Sequence, residues 1–303
     1  MVQVLISGGT GLVGKALCNK LQAKAYDVAI LSRHKNTNSP YKCFYWNPNE
    51  DKIDSEAIAS SDYIIHLAGA NIAEKRWTPQ RKKIILESRI QSAKLIFDEV
   101  QKQQKNLKAF ISASAVGYYG SITSEQIFSE GDKAANDFLG RTCQQWEEAA
   151  NQFNELGIRT TILRTGLVLN KQGGALSKMI IPVKLGLASA LGNGKQYLPW
   201  IHIDDLCEIY IKAIEDNTMK GAYNAVAPEH QTNLSFTQTL AQVLKKPFWF
   251  PNIPTFLIKS LLGEMSELLL TGSRISASKL LSTGFTYKFP KLDKALVNLL
   301  EKD

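Results

Sequence analysis

A glycine-rich stretch, Gly-Gly-Thr-Gly-Leu-Val-Gly at residues 8–14, has the clearest chemical purpose in the 303-residue chain. It follows an apolar run at residues 2–7, typical of a strand, and opens an amphipathic stretch at residues 13–24, typical of a helix. In this context G-x-G-x-x-G spacing predicts a tight turn whose free helix amides, aided by the helix dipole, hold a diphosphate. The residues predicted to bind it are Gly8, Thr10, Gly11, Leu12 and Val13.

The residues after the second apolar run, at 28–31, indicate which dinucleotide is bound. Proteins that bind NAD usually carry Asp or Glu here for the ribose hydroxyls, whereas this chain has Ser32, Arg33 and His34. The planar donor fork of Arg33 suits a 2′-phosphate, which a carboxylate would repel. The sequence therefore favours NADP(H), with Ser32 and Arg33 at its adenosine ribose. The alternative is that Arg33 is a solvated loop residue and the cofactor is NAD.

The elements that must position these residues alternate between apolar runs and helical patterns. Further strand-like runs occur at residues 63–67, 109–111 and 160–163, separated by amphipathic stretches. This alternation predicts an α/β fold, a doubly wound parallel Rossmann sheet with helices on both faces. Because the pattern becomes rich in Gly and Pro after Gly166 and then mostly helical, we expect a Rossmann core over residues 1–166 and a smaller, mixed C-terminal substrate lobe over residues 167–303.

Composition narrows the classes of partner. The formal charge of +8 suits an anionic ligand, but the lysines are scattered, so no specific nucleic acid partner is expected. The four cysteines form no Cys-x-x-Cys pair, and His202 with Asp204 supplies too few ligands for a metal. Without a membrane-length apolar segment or a signal peptide pattern, we expect a cytoplasmic protein, a monomer or homodimer, with a small-molecule substrate of unknown identity.

Further motifs carry a resemblance to a known family. They are His-Leu-Ala-Gly-Ala at 66–70, Lys-Arg-Trp at 75–77, Ser-Ala-Ser-Ala-Val-Gly-Tyr-Tyr-Gly at 112–120, Trp-Glu at 146–147, Leu-Arg-Thr-Gly at 163–166, Trp-Ile-His-Ile-Asp-Asp at 200–205 and Gly-Phe at 284–285. Together with the glycine turn, they resemble extended short-chain dehydrogenases/reductases, in particular the atypical nucleoside-diphosphate-sugar epimerase-like (YfcH-type) branch. The resemblance covers essentially the whole chain.

The resemblance implies roles by position. Residues that follow the fourth, fifth and sixth strands are implied to line the cofactor: Leu67, Ala68, Gly69, Ala113, Thr165 and Gly166. Ser114 matches the family's catalytic Ser/Thr, which holds the reacting oxygen by a hydrogen bond. The segment at 195–205 is implied to face the substrate through Lys195, Trp200 and His202. Lys75 and Arg76 either contact an anionic substrate or lie on a solvated turn.

One departure from the family concerns proton transfer. Catalytic members carry Tyr-x-x-x-Lys on the helix after the fifth strand, but alignment on Glu147 puts Phe138 and Thr142 in those two positions. The proton could come from Tyr118 or Tyr119, of which we assign Tyr118, although both could simply pack at a strand end; or the reaction needs no such relay. The sequence thus predicts an NADP(H)-dependent oxidoreductase or epimerase acting on a sugar-nucleotide-like or small carbonyl substrate. The alternative is an NADP(H)-binding regulator or scaffold without turnover.

Overall fold

An eight-stranded sheet forms the centre of the protein in the computed structural model, which describes residues 2–34 and 39–300. The strands of the whole described chain, numbered in chain order, are β1 Gln3–Ser7, β2 Asp27–Ser32, β3 Lys42–Asn47, β4 Lys52–Ile53, β5 Tyr63–His66, β6 Ala109–Ala115, β7 Ile127–Phe128, β8 Thr160–Thr165, β9 Leu167–Leu169, β10 Trp200–His202, β11 Gly221–Ala225 and β12 Arg274–Ile275. The α-helices are α1 Leu12–Ala23, α2 Ser55–Ala59, α3 Pro79–Lys102, α4 Phe138–Asn151, α5 Gly174–Lys184, α6 Ile203–Glu215, α7 Asn233–Val243, α8 Thr255–Leu262, α9 Glu267–Leu270, α10 Ser278–Ser282 and α11 Leu292–Leu300.

The strand order of this sheet is β4-β3-β2-β1-β5-β6-β8-β11. Every neighbouring pair is parallel except β3 with β4. The chain builds outward from β1 through β2 in one direction and from β5 in the other, so the order reverses between β1 and β5. Open α/β sheets bind their ligands beyond the carboxyl ends of the strands at such a reversal. The predicted doubly wound α/β fold is confirmed.

Both faces of the sheet are covered because its central strands are apolar on both sides. All five residues of β1 are buried. Val4 and Ile6 pack into the core that includes residues of α1 and α6, whereas Leu5 packs into the core with residues of α2, α3 and α4. Side chains alternate along a strand, so one short apolar run supplies both cores.

The second half of the chain contributes to both layers. Beyond Gly166, β11 pairs with β8 as an outer strand, and α6 lies along α1, where Lys20 pairs with Glu208 at 3.0 Å. The Rossmann core therefore includes a strand, β11, and a helix, α6, that lie within residues 167–303, the range that the sequence assigned to the lobe. Residues of β9, α5, β10, α7 and α11 form a smaller, mostly helical lobe with its own apolar core. The strand pair β7–β12 joins residues 1–166 to the end of the chain, where β12 and α10 pack into the core of the sheet. No helix among the described residues is long and apolar enough to cross a membrane.

Candidate functional site

The glycine turn joins β1 to α1 by close packing. Gly8 has a φ of 74°, which a residue with a Cβ rarely adopts. A Cβ at Gly14 would lie 2.7 Å from the Gly9 Cα and would overlap the Gly8 carbonyl oxygen, so α1 rests directly on the turn. Thr10 and Gly11 are exposed. Within the described chain no side chain caps α1 and its first turn holds no acid, so its first amides face the crevice without an internal competitor.

A buried polar group aligns the ends of β1 and β5 at the crevice. The His66 Nδ1 lies 2.7 Å from the Ser7 Oγ, and its Nε2 lies 3.1 Å from the Ser92 Oγ on α3. The Leu67 amide also donates to the Ser7 Oγ, at 3.2 Å. Burial lowers the pKa of His66 to about 4, so the imidazole is neutral at physiological pH. No role was predicted for Ser7 or Ser92 from the sequence, although a polar residue within an apolar run often indicates a buried hydrogen bond.

The predicted adenosine-side residues come together around this turn. A Cβ at Gly8 would lie 3.0 Å from the Ala68 nitrogen, so the glycine turn touches the segment after β5. Gly69 is exposed beside them. Arg33 is exposed after β2, on the other side of β1, and the Ser32 Oγ accepts a hydrogen bond from the His34 amide at 3.2 Å. Arg33 is thus displayed at the carboxyl edge of the sheet, beside the glycine turn.

Ser114, which the resemblance implies to be catalytic, is buried and bonded within the protein. Along β6, Ala113 and Ala115 are half-buried, whereas the intervening Ser114 points to the opposite face and is only 3% exposed. Its Oγ donates to Glu147 Oε1 at 2.7 Å. Strand alternation therefore puts the small Ala113 and Ala115 towards the cofactor crevice, and commits the Ser114 hydroxyl to an internal carboxylate.

Glu147 is the centre of a buried network. Arg164 on β8 donates to both of its oxygens, at 2.9 Å from Nε and 2.8 Å from Nη2. Arg164 Nη1 also donates to the Tyr119 hydroxyl at 2.9 Å, and that hydroxyl donates to Asn224 Oδ1 at 2.7 Å. Burial alone would lower the pKa of Arg164, but hydrogen bonding to Glu147 raises it overall. Burial raises the pKa of Tyr119 to about 12, so this tyrosine is a structural member of the network.

Tyr118 is placed differently from its neighbour. Its ring is half-buried and lies over the Arg164 guanidinium, with 3.4 Å between Cζ and the ring centroid. It meets Tyr119 edge to face at 5.4 Å between centroids. Since Tyr119 bonds internally, Tyr118 is the better placed of the two for contact with a ligand beyond β6.

The helix face that approaches the end of β6 carries neither a phenol nor an ammonium. Phe138, in the aligned tyrosine position, packs against Trp77 at 5.0 Å between centroids, and the Thr142 hydroxyl bonds back to the Phe138 carbonyl. The side chains next to Gly117 are instead Leu139 and Cys143, 3.4 and 3.7 Å from where its Cβ would lie. Burial raises the pKa of Cys143 to about 12, so its thiol stays protonated. The Tyr-x-x-x-Lys pair is therefore absent from α4 whether it is aligned on Phe138 and Thr142 or on Leu139 and Cys143.

The residues after β8 support the packing of the chain. A Cβ at Gly166 would lie 2.6 Å from the Pro199 carbonyl oxygen, so glycine is required where the segment before β10 crosses. Thr165 is half-buried and its Oγ1 donates to the Leu163 carbonyl at 3.2 Å. Close backbone packing is therefore sufficient to explain Gly166.

Two of the three residues predicted to face the substrate are buried. Trp200 is 0% exposed, inside the lobe core. His202 is 1% exposed, accepts the Asp204 amide at 3.0 Å as the N-cap of α6, and stacks on Phe289 with ring centroids 4.0 Å apart. Burial lowers the pKa of His202 to about 4, so it is a neutral packing residue. Lys195 is exposed.

The Lys-Arg-Trp motif connects the core to the lobe. Arg76 donates to the backbone carbonyls of Ser260 and Leu261 at the carboxyl end of α8. Trp77 is buried and its Nε1 donates to the Ile72 carbonyl at 2.9 Å. Arg76 is therefore an exposed helix cap between the two parts.

A cavity of about 620 Å³ opens between the lobe and the segment after β6. Its polar lining includes Ser121, Asn193, Gln196, Lys259, Glu264 and Glu267. Ser121 follows the turn at Gly120 and its Oγ donates to Glu267 Oε2 at 2.9 Å. Lys195 was the residue predicted in this region, but its polar neighbours Asn193 and Gln196 are the ones that line the cavity.

Comparison with known proteins agrees with this architecture. Residues 4–226 match the NAD dependent epimerase/dehydratase family, and residues 253–299 match a domain of unknown function, DUF1731. The chain belongs to the NAD-dependent epimerase/dehydratase family. Epimerase family proteins of Staphylococcus aureus (34% identical over 304 residues) and Staphylococcus haemolyticus (35% over 303) are matched over their whole length and over 100% and 99% of this chain.

Solved structures also resemble this chain over nearly its whole length. The crystal structure of the human epimerase family protein SDR39U1 (isoform 2) with NADPH superposes with a TM-score of 0.88 at 32% identity, covering 98% of this chain and 99% of the human one. A nucleoside-diphosphate sugar epimerase from Corynebacterium glutamicum gives 0.80 at 29% identity, covering 99% of this chain and 58% of its own. The resemblance inferred from the motifs is confirmed.

Within this epimerase/dehydratase family member, the two matched regions meet at the contacts described above. The DUF1731 region spans α8, whose end Arg76 caps, and Glu264 and Glu267 of the cavity. The family region supplies the glycine turn and Ser121. Residues of both matched regions therefore line the cavity.

Proposed function

We propose that this protein binds NADP(H) across the reversal between β1 and β5. The observation that carries the proposal is the glycine turn, where exposed Gly11 and the uncapped start of α1 leave backbone amides for a diphosphate. Glycine fits this position, because a Cβ at Gly11 would lie 3.2 Å from the Gly8 carbonyl oxygen, closer than an ordinary contact. Arg33 provides the donors for a 2′-phosphate. The human relative crystallised with NADPH supports the same assignment.

The reaction we propose is hydride exchange with a small carbonyl or sugar-nucleotide-like substrate. The cofactor supplies or accepts the hydride when bound. The cavity next to Ser121 holds the substrate, with hydrogen-bonding and charged groups from both regions along its wall. Tyr118, held against Arg164, is the candidate proton donor, since Ser114 and Tyr119 are committed to internal bonds. The human protein's family name supports an epimerase-like substrate without identifying one.

A second candidate function is NADP(H) binding without turnover. It is favoured by Leu139 and Cys143 at the helix face where catalytic relatives place a tyrosine and lysine. A regulator of this kind would change its surface or its partners with the redox state of the cofactor, and would need no proton relay.

The cofactor assignment is tested by titrating NADPH and NADH into the wild type and an Arg33→Asp variant. Loss of a charge-assisted phosphate contact of about 1.5–3 kcal/mol should weaken NADPH binding ~10- to 100-fold and leave NADH almost unchanged. Lys52→Asp is the control, with the same charge change at the exposed β4 edge of the sheet. Equal NADPH affinity in wild type and Arg33→Asp refutes the role of Arg33.

Turnover is tested by mixing the NADPH-loaded protein with panels of carbonyl compounds and sugar nucleotides and following the absorbance of reduced nicotinamide. Oxidation by one class supports the enzyme, and Tyr118→Phe should then abolish most of the rate while leaving NADPH affinity intact. For an epimerase, which returns the hydride, product isomers are measured by chromatography. Unchanged cofactor and substrates across both panels favour the regulator.

A further inference from the structure

Arg89 on α3 packs against the backbone that follows β5. Its Cγ and Cζ both lie 3.2 Å from the position that a Cβ on Gly69 would occupy. Arg89 Nη1 donates to the Ala70 carbonyl at 3.2 Å and to the Ile85 carbonyl at 2.7 Å. The absence of a side chain at Gly69 thus makes room for a guanidinium at the carboxyl edge of the sheet.

The charge of Arg89 has no carboxylate partner within residues 2–34 and 39–300. Its guanidinium lies over the Trp146 ring, with 4.8 Å between Cζ and the centroid, and burial lowers its pKa. The cationic Arg81 on the same helix also lowers the pKa of Arg89. Arg164, by contrast, is a buried guanidinium with two bonds to Glu147. Arg89 is a half-buried cation held only by neutral groups, so an anionic ligand would compensate its partial loss of solvent.

The location of Arg89 relative to the strand reversal indicates which ligand group it meets. Arg33 follows β2, on one side of β1, whereas Arg89 lies beyond β5, on the other side and towards β6. A dinucleotide lies across this reversal, with one nucleotide on each side. Gly69 was predicted to lie on the adenosine side, but the Arg89 guanidinium also contacts Trp146 on α4, the helix that follows β6. If Arg33 is at the adenosine end, we therefore place Arg89 towards the nicotinamide end. There the neighbouring helix face offers only Leu139 and Cys143, and neither carries a positive charge.

We propose that Arg89 binds the nicotinamide nucleotide half of NADP(H), supplying from α3 a positive charge that the α4 face next to Gly117 lacks. The inference rests on the proposed cofactor function. The guanidinium fork suits the phosphate and ribose oxygens of that half, and the Trp146 ring and the Ala70 carbonyl fix its orientation before the cofactor arrives. Arg89 is then a cofactor-binding residue that no sequence motif identified.

The experiment compares two probes on one variant. NADPH carries both nucleotides, whereas 2′,5′-ADP carries the adenosine and the 2′-phosphate without the nicotinamide nucleotide. Arg89→Gln should weaken NADPH binding ~10- to 100-fold and change 2′,5′-ADP binding less than about twofold, as expected for the loss of a charge-assisted bond. Arg89→Lys should fall between, because it keeps the charge and loses the fork. Lys94→Gln, the same charge change on an exposed part of α3, should change neither affinity.

Each outcome decides the inference. Selective loss of NADPH affinity supports it. Equal loss of both probes in Arg89→Gln and Arg89→Lys overturns it, since Arg89 would then only shape the turn after β5. Unchanged NADPH affinity also overturns it. If the wild type binds neither probe, the proposed cofactor function itself fails; if Arg33→Asp loses both probes while Arg89→Gln loses neither, only the inference on Arg89 fails.

Discussion

Breaking the buried Glu147–Arg164 pair is the most informative perturbation of the fold, because it tests whether the Ser114 network is structural. The Arg164 and Glu147 side chains are 4% and 8% exposed, and two hydrogen bonds join them. Removing one partner leaves the other charge buried and unpaired, which costs about 3–5 kcal/mol of unfolding free energy. Glu147→Leu and Arg164→Met should each be destabilised by that amount.

The double variant separates pairing from general damage. With both charges removed, no unpaired ion remains, although the Ser114 and Tyr119 hydroxyls each lose a partner, at about 1–3 kcal/mol per group. Its destabilisation should therefore be smaller than the sum of the two single values by about 3 kcal/mol or more. Urea unfolding followed by circular dichroism, extrapolated linearly to water, gives the four free energies.

The matched control is Lys94→Met, which breaks an exposed ion pair with Asp98 and should cost less than about 1 kcal/mol. Additive single and double values, or single values no larger than that of the control, would show that Glu147 and Arg164 do not depend on each other. The structural account of Ser114 would then fail, and its hydroxyl would again be a candidate for catalysis.

Two further predictions concern the crevice. Gly14→Ala should destabilise the protein by about 1–3 kcal/mol through overpacking and weaken NADPH binding, since its Cβ would lie 2.7 Å from the Gly9 Cα; Gly131→Ala, with nothing within 4 Å, is the control, and equal unfolding midpoints would contradict the packing argument. For His66 the pKa falls from 6.5 unfolded to about 4 folded, so the unfolded state binds the proton first and stability falls as pH drops between those values. Protonation of a histidine with this pKa shift lowers the free energy of unfolding by about 2 kcal/mol between pH 7 and pH 5. His66→Gln should remove that part of the pH dependence of stability, and an unchanged dependence would show that His66 does not titrate on unfolding.

Local patterns determined much of this protein. The glycine turn could be predicted because its strand, glycines and helix are consecutive in the chain, and Gly11 and Gly14 lie close to residues of the turn itself. The parallel α/β sheet could be predicted because buried strands and amphipathic helices have different periods. Arg33 could be located because it follows directly from β2.

Contacts between distant segments decided the rest. Alternation alone puts Ser114 opposite Ala113, but only folding shows that this face meets Glu147 from α4 and Arg164 from β8. The burial of His202 and Trp200 could not be predicted, because the lobe that covers them includes residues later in the chain, such as Phe289. Arg89 went unrecognised for the same reason: a lone arginine in a helix acquires meaning only when Gly69, Trp146 and the strand reversal are assembled around it. Sequence determines the backbone that can bind a diphosphate, whereas tertiary packing decides which side chains remain open to a ligand, because burial depends on what the rest of the chain covers.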